Sequence, residues 1–86
     1  MFQIVFAKSA QKDLEDLPKT EIQKILSKIE KLSSHPYPHG YTKIKGHSNL
    51  FRIRVGNYRV VYSVYKEEVI IDIVRISHRK DVYRIF

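Results

Sequence analysis

The sequence contains no cysteine and no apolar run long enough to cross a membrane. Without cysteine, disulfides, thiolate nucleophiles and cysteine-based zinc sites are excluded. Because secreted domains of this size often depend on disulfides, we expect a cytoplasmic location. The longest apolar stretch, Val69 to Ile76, is interrupted by Asp72 and Arg75, and Met1 to Phe6 is too short for a signal peptide.

The sequence also lacks the patterns of the common enzyme classes. No paired-carboxylate, Ser-His-Asp, phosphate-binding-loop or dinucleotide-binding signature is present. His35, His39 and His47 do not have the spacing of metal ligands, and we expect them to be surface residues. We therefore expect no metal and no cofactor, so any catalysis must depend on Arg, Lys, His and Tyr.

The chain has the length and composition of one ordered domain, which we place at residues 1–86. It has 86 residues, of which 43% are hydrophobic. A chain this short buries only about 60% of the surface that it exposes when unfolded. Its core must therefore be thin, and we expect it to consist of one sheet face and one or two helices.

The positive charge is concentrated in the second half of the chain. The formal net charge is +7, of which +1 belongs to residues 1–42 and +6 to residues 43–86, and all six arginines follow residue 50. Arginine is the preferred side chain for bidentate contact with phosphate. This asymmetry indicates an anionic partner for the second half. The alternative from charge alone is a surface that only confers solubility.

The first half of the chain is predicted to be mainly helical. A short strand over Phe2 to Phe6 is followed by a helix over Lys8 to Leu17, which Pro18 ends. A second helix begins near Thr20, a predicted cap with Glu21 in the first turn. Its apolar residues follow the helical period, which indicates a face that packs on the core: Ile22, Ile25, Leu26, Ile29 and Leu32.

The second half is predicted to be a meander of strands. After a loop at residues 35–40, strands are expected at Lys43 to Lys45, Leu50 to Val55, Tyr58 to Lys66 and Val69 to Ser77. Residues 78–86 are expected to form a short tail or a helical turn. The predicted fold class is α+β, with the N-terminal strand and two helices packed on one face of a mainly antiparallel sheet of four to five strands.

A tight turn at Gly56-Asn57 determines the register of the central hairpin. Arg54 then lies opposite Arg59, and alternation places both on the same face as Arg52. The other face is apolar or aromatic and must be the core side. Like charges opposite one another are destabilising, and we expect Asp72 to relieve them partly. We interpret the three arginines as a phosphate-binding cluster; a merely solvated face is the alternative.

The segment after the last predicted strand adds further candidates. His78, Arg79 and Lys80 emerge together at the strand's end, and Tyr83 follows about one helical turn later. Imidazole exchanges protons readily near neutral pH, so His78 is a candidate general acid or base. An exposed tyrosine can stack on a base, although Tyr83 could equally pack on the sheet. Lys43, Lys45, Lys80 and Arg52 are predicted RNA-binding residues.

Arginine, lysine, histidine and tyrosine together suit the cleavage of a phosphodiester. Cations stabilise the charge that develops in the transition state. RNA supplies its own nucleophile, the 2′-hydroxyl. The protein then needs only to hold sugar and phosphate in line, to stabilise charge and to move protons.

The sequence resembles the RelE/ParE toxin superfamily over nearly its whole length. The resemblance is carried by five stretches: Phe6-Ala7-Lys8-Ser9-Ala10, Lys43-Ile44-Lys45-Gly46, Phe51-Arg52-Ile53-Arg54, Gly56-Asn57-Tyr58-Arg59-Val60-Val61-Tyr62 and His78-Arg79-Lys80-Asp81-Val82-Tyr83. It implies a toxin that enters the ribosomal A site, next to ribosomal RNA, and cleaves the bound mRNA without a metal, and a cognate antitoxin that neutralises it.

The resemblance also implies roles for individual residues. Arg59 would bind the scissile phosphate, Arg79 would stabilise charge or assist the leaving group, and Tyr83 would stack on or orient the substrate. Arg52 and Arg54 stand where RelE carries lysines. Because arginine does not lose its proton in proteins, Arg54 is a poor general base, and the base is left unassigned. Two alternatives remain, namely a ParE-like inhibitor of DNA gyrase and a weak member that only binds antitoxin or RNA.

Overall fold

The structure is a computed structural model that describes residues 1–81. Two helices pack against a five-stranded mixed sheet. The elements in chain order are β1 (Gln3–Phe6), α1 (Lys8–Glu15), α2 (Lys19–Leu32), β2 (Thr42–Lys43), β3 (Phe51–Val55), β4 (Tyr58–Tyr65) and β5 (Ile70–His78). The predicted fold class is confirmed. In the described part of the chain, no helix is long and apolar enough to cross a bilayer.

The two helices meet at Pro18. The residue before a proline disfavours helical backbone, and α1 accordingly ends at Glu15, two residues before the predicted end. Pro18 itself precedes the first turn of α2, where a missing N–H has no consequence. Thr20 is therefore inside the first turn, and the prediction that it caps this helix was wrong. Ile25, Ile29 and Leu32 of α2 are buried, as predicted, whereas Leu26 is 39% exposed.

The strands lie in the order β1-β5-β4-β3-β2. β1 runs parallel to β5, and the other neighbours are antiparallel. The predicted register of the central hairpin is confirmed, because Arg54 pairs with Arg59 and Val55 with Tyr58. Gly56 alone of the two turn residues has a positive φ, of 59°. A glycine at the first central position is the requirement of a type II′ turn, which matches the twist of the two strands.

The core lies between the helices and one face of the sheet. Alternate residues of β3 and β4 point into it, among them Ile53, Val60 and Tyr62. In β5 the buried residues Ile71, Ile73 and Ile76 break this alternation, because a bulge at Val74 shifts the register against β4. The bulge is where α1 attaches: the hydroxyl of Ser9 donates to the Val74 carbonyl at 2.7 Å.

Asp13 of α1 completes this attachment. Its carboxylate accepts hydrogen bonds from Nε of Arg75 at 2.9 Å and from the backbone N–H of Ile76 at 2.8 Å. The bulge leaves that N–H facing the helix rather than another strand, so Asp13 satisfies a donor that the sheet does not. The contact fixes α1 to the half of β5 that leads toward His78.

Candidate active site

The face of the sheet turned away from the core carries the arginine face, which we define as Arg52, Arg54 and Arg59. Two rows of cross-strand neighbours cross it. In one row Arg54 lies opposite Arg59, which lies opposite Ser77 of β5; in the other, Val61 separates Arg52 from Arg75. The side chain of Arg54 is exposed, whereas those of Arg52 and Arg59 are half-buried. The predicted arginine cluster is thus present as one surface.

Arg59 is held in place by the hairpin turn beside it. Its Nη1 donates to the carbonyl of Tyr58 at 3.1 Å and more weakly to that of Gly56 at 3.5 Å. These carbonyl oxygens are partial negative charges, and they offset some of the repulsion from Arg54. The expectation that Asp72 does this was wrong: Asp72 pairs with Ser63, four residues along β4 from Arg59, which corresponds to about 13 Å.

Arg79 lies at the same end of the sheet. Its backbone N–H donates to the carbonyl of Asn57 at 2.7 Å, so the segment after β5 is tied to the turn between β3 and β4. The Arg79 side chain is exposed. The structure therefore brings Arg54, Arg59 and Arg79 to the region around one two-residue turn.

His78 lies on the opposite face from these arginines. It pairs with Tyr58, a core-side residue, and the two rings meet edge to face with centroids 5.6 Å apart. Its Nδ1 accepts a hydrogen bond from the Lys80 N–H at 3.2 Å, so this nitrogen is not available to take a proton from a substrate. The structure gives no support to His78 as the general base. The side chain of Lys80 is exposed in the terminal turn.

The predicted RNA-binding lysines are more scattered than the arginines. Lys43 pairs with Phe51 and so shares the core-side face, whereas its neighbour Thr42 pairs with Arg52. Lys45 lies exposed in the turn after β2. Alternation therefore places Thr42, rather than Lys43, beside the arginine face.

A cleft of about 380 Å³ begins at the arginine face and passes around the edge of β3. We call it the edge cleft; its polar and charged lining consists of Lys28, His39, Thr42, Arg52, Arg54 and Arg59. Lys28 belongs to α2 and His39 to the loop after it. The described residues contain no group of three His, Asp or Glu side chains that could hold a metal ion.

Two titratable groups lie in shifted environments. Burial raises the pKa of the Tyr62 hydroxyl far above its ordinary value, and Tyr37 and Tyr41 nearby raise it further. Tyr62 therefore stays neutral and donates to the Pro36 carbonyl at 2.7 Å. Partial burial also raises the pKa of the Asp72 carboxyl. Neither group belongs to the edge cleft, so their roles are structural.

Comparisons with known proteins decide the family. The profile of a family described as "ParE toxin of type II toxin-antitoxin system, parDE" matches residues 4–83. The chain is 35% identical over 86 residues to "Putative toxin RelE1" of Methanocaldococcus jannaschii, with 96% of each chain covered. The same organism's "Toxin RelE3" is 36% identical over 87 residues, with 96% of this chain and 97% of the relative covered. The chain belongs to the RelE/ParE family of type II toxins.

Solved structures agree with the fold of this RelE-family toxin. The archaeal RelE-RelB complex of Pyrococcus horikoshii superposes with a TM-score of 0.79 at 30% identity, covering 91% of this chain and 94% of that one. The RelB-RelE antitoxin-toxin complex of Methanococcus jannaschii gives 0.76 at 35% identity, covering 95% and 98%. The isolated Escherichia coli RelE toxin, at 21% identity, gives 0.80 over the whole of both chains. Two of these relatives are thus solved with an antitoxin.

Reading of the toxin's sequence missed Lys28, His39 and Thr42 as members of the site. Lys28 was hidden because it follows the exposed face of an amphipathic helix, where lysine is common. His39 is an exposed loop residue, as predicted, and nothing in its local sequence indicates that it also lines the cleft. Only the packing of α2 beside β3 brings both to the cleft. Tyr83, the remaining predicted site residue, lies outside the described residues, and its role stays a prediction.

Proposed function

We propose that this toxin is an endoribonuclease that cleaves mRNA in the ribosomal A site, without a metal, by attack of the substrate's 2′-hydroxyl. The observation that supports this most strongly is the cross-strand pair of Arg54 and Arg59, with Arg79 tied to the same turn. Guanidinium groups this close together suit the binding of a phosphate, which accepts several charged hydrogen bonds at once. The similarity of the chain to two proteins named as RelE toxins also supports this proposal.

The chemistry follows from the positions of these charges. The 2′-oxygen attacks the adjacent phosphorus, the bond from phosphorus to the 5′-oxygen breaks, and the products are a 2′,3′-cyclic phosphate and a 5′-hydroxyl. Arg59, whose guanidinium is oriented by the Tyr58 carbonyl, stabilises charge on the phosphoryl oxygens. Arg54 adds a second fixed cation, and Arg79 stabilises the departing oxygen. Because neither Arg54 nor His78 suits the task, the ribosome or water accepts the proton of the 2′-hydroxyl, and the departing 5′-oxygen takes a proton from the same source.

The experiment is cleavage of a defined mRNA in a purified translation system, with the new ends mapped by primer extension. We expect wild-type protein to produce ends within the A-site codon. Arg59→Ala should slow cleavage by about 10² to 10³, the usual loss for one charge-stabilising group. Lys24→Ala, an exposed residue of α2 outside the edge cleft, is the matched control. Equal rates for wild type and Arg59→Ala would refute the proposal.

Inhibition of DNA gyrase is the second candidate, because the matching family profile is that of ParE. A gyrase supercoiling assay distinguishes it: the nuclease proposal expects supercoiling to proceed unchanged in the presence of the toxin. A protein that binds ribosomes but leaves mRNA ends unaltered would instead be the weak, binding-only member.

We also propose that a cognate antitoxin neutralises this toxin. Relatives are solved as RelE-RelB complexes, and the basic surface would attract an acidic segment. A small neighbouring gene whose product co-purifies with the toxin and restores translation is the expected result. Failure of that product to bind would contradict the assignment.

A further inference from the structure

Within residues 1–81, the second half of β3 has no neighbouring strand on the side away from β4. β2 has two residues and pairs only with Phe51 and Arg52, so it does not reach the second half of β3. In a hairpin with a two-residue turn, the pair that flanks the turn is hydrogen-bonded, here Val55 with Tyr58. The N–H and C=O of Arg54 therefore point away from β4, into the edge cleft. A backbone donor thus adds to the cationic side chains there.

The outer wall of the edge cleft is held by an aromatic cluster. The loop after α2 supplies His39 and Gly40 to the lining. The Tyr62 hydroxyl holds this loop through the Pro36 carbonyl. Tyr37 and Tyr41 pack on Phe51 with centroids 5.2 and 6.0 Å away. These contacts fix the loop in place, so the outer wall of the cleft is preformed.

The charge of the lining determines which ligand fits. Nine of the described residues line the cleft; four of these nine are arginine or lysine, and none is acidic. A volume of about 380 Å³ is that of a site for a small molecule or a nucleotide. Arg52 and Arg54 lie on one face about 7 Å apart along β3, which is close to the spacing of successive phosphates in an extended strand. This spacing favours a ligand that carries several anions along a chain over a single bound anion.

We propose that the edge cleft is a second RNA subsite, in which Lys28 and His39 hold the backbone of the nucleotide next to the one whose phosphate Arg59 contacts. The subsite continues the arginine face around β3 and rests on the proposed nuclease function. Lys28 approaches from α2, so the RNA lies between the helix and the strand edge. Lys28 and His39 bind and position the substrate and take no part in bond breaking.

The test is the affinity for a short 2′-O-methyl RNA oligonucleotide, which lacks the attacking hydroxyl, measured by fluorescence anisotropy over a range of salt concentrations. We expect Lys28→Glu to weaken binding at least about tenfold and to reduce the salt slope by about 0.7, the loss of one phosphate contact on a single strand. Lys24→Glu, the same change one turn earlier on α2, should stay within about threefold, because Lys24 does not line the edge cleft. His39→Ala should weaken binding less than Lys28→Glu.

The possible outcomes separate loss of the fold from loss of the subsite. If Lys28→Glu unfolds at the same temperature as wild type, the variant is folded. Equal affinity of Lys28→Glu and Lys24→Glu overturns the subsite, and so does failure of wild type to bind the oligonucleotide. Weaker binding of the antitoxin alone, with RNA affinity unchanged, also overturns it, because the cleft would then hold an acidic peptide. Cleavage in the translation assay is scored separately, so the nuclease function can stand while the subsite fails.

Discussion

Arg54 and Arg59 carry the same charge in different surroundings. Arg59 is half-buried and oriented by the Tyr58 carbonyl, whereas Arg54 is exposed and forms no ion pair within residues 1–81. Lysine retains the charge but loses the planar fork of donors. We expect Arg59→Lys to lower the single-turnover cleavage rate about tenfold, which corresponds to one charged hydrogen bond. Arg54→Lys should stay within about threefold of wild type, and equal losses in the two variants would contradict the distinct role of Arg59.

Asp72 should make the protein less stable at neutral pH. Partial burial raises the pKa of its carboxyl above 3.8 in the folded state, so the folded protein holds this proton more tightly than the unfolded chain does. Stability must then fall as pH rises from 3.8 through the folded-state value. We expect Asp72→Asn to raise the free energy of unfolding at pH 7 by roughly 0.5 kcal/mol or less, since the site is largely solvated.

The higher free energy of unfolding expected for Asp72→Asn at pH 7 should disappear in acid. Well below pH 3.8 the carboxyl is protonated in both states, so Asp72→Asn and wild type should unfold at the same urea concentration. Glu67→Gln serves as the control, because it removes one negative charge from an exposed side chain in the turn before β5. A gain at pH 7 that persists in acid, or that Glu67→Gln reproduces, would show that burial of Asp72 is not its source.

At the scale of elements, the contact between α1 and the bulge of β5 depends more on Asp13 than on Arg75. Removing Asp13 leaves the Ile76 N–H without its acceptor as well as breaking the ion pair. We expect Asp13→Ala to lower the free energy of unfolding by about 2 kcal/mol. Arg75→Ala should cost about 1 kcal/mol or less, because the pair is partly exposed and Asp13 keeps the N–H. Urea denaturation measures both, and an equal or greater loss for Arg75→Ala would contradict this ranking.

The turn between β4 and β5 contains a strained residue. Val69 has a φ of 59°, in the left-handed region that a β-branched side chain adopts only at a cost. Its side chain is 43% exposed, so little packing depends on it. We expect Val69→Gly to raise the free energy of unfolding by about 1 kcal/mol. Val69→Ala retains the Cβ atom and should give no gain; if alanine stabilises as much as glycine, the strain is not the cause.

The sequence predicted the elements that depend on local pattern. The helices, the Gly56-Asn57 hairpin and its register followed from periodicity and turn chemistry, and the structure confirms them. The bulge was missed although Ile71, Ile73 and Ile76 already show the break in alternation. The strain at Val69 was also missed, because the sequence indicated only that Glu67-Glu68 has a low propensity to form a turn. The parallel pairing of β1 with β5 joins the two ends of the domain, and no local signal encodes it.

The candidate site was predictable where one hairpin determines it and unpredictable where separate elements meet. Arg54 and Arg59 are five residues apart, so their pairing follows from the turn. Lys28 reaches the same cleft from α2, and its proximity depends on how the whole helix packs. His78 was assigned by its position after a strand, but the register turns its side chain to the other face.

Across the whole molecule, the division of the sheet into an apolar and a cationic face connects fold with function. One face holds the core against both helices, and the other carries the arginine face. On the proposed function, the net charge of +7 should draw RNA toward the protein from a distance, and the arginine face should then bind the reacting phosphate. In the proposed reaction the fold supplies charge and orientation, and the substrate supplies the nucleophile.

The claim that the substrate supplies the nucleophile can be tested directly. The measurement is the cleavage rate of a ribosome-bound mRNA with one 2′-deoxynucleotide on the 5′ side of the scissile phosphate. The all-ribose mRNA, cleaved by the same wild-type toxin, is the reference. We predict that cleavage at the substituted position is lost while binding to the ribosome is unchanged. Cleavage at that position at the reference rate would show that the nucleophile comes from elsewhere and would contradict the account.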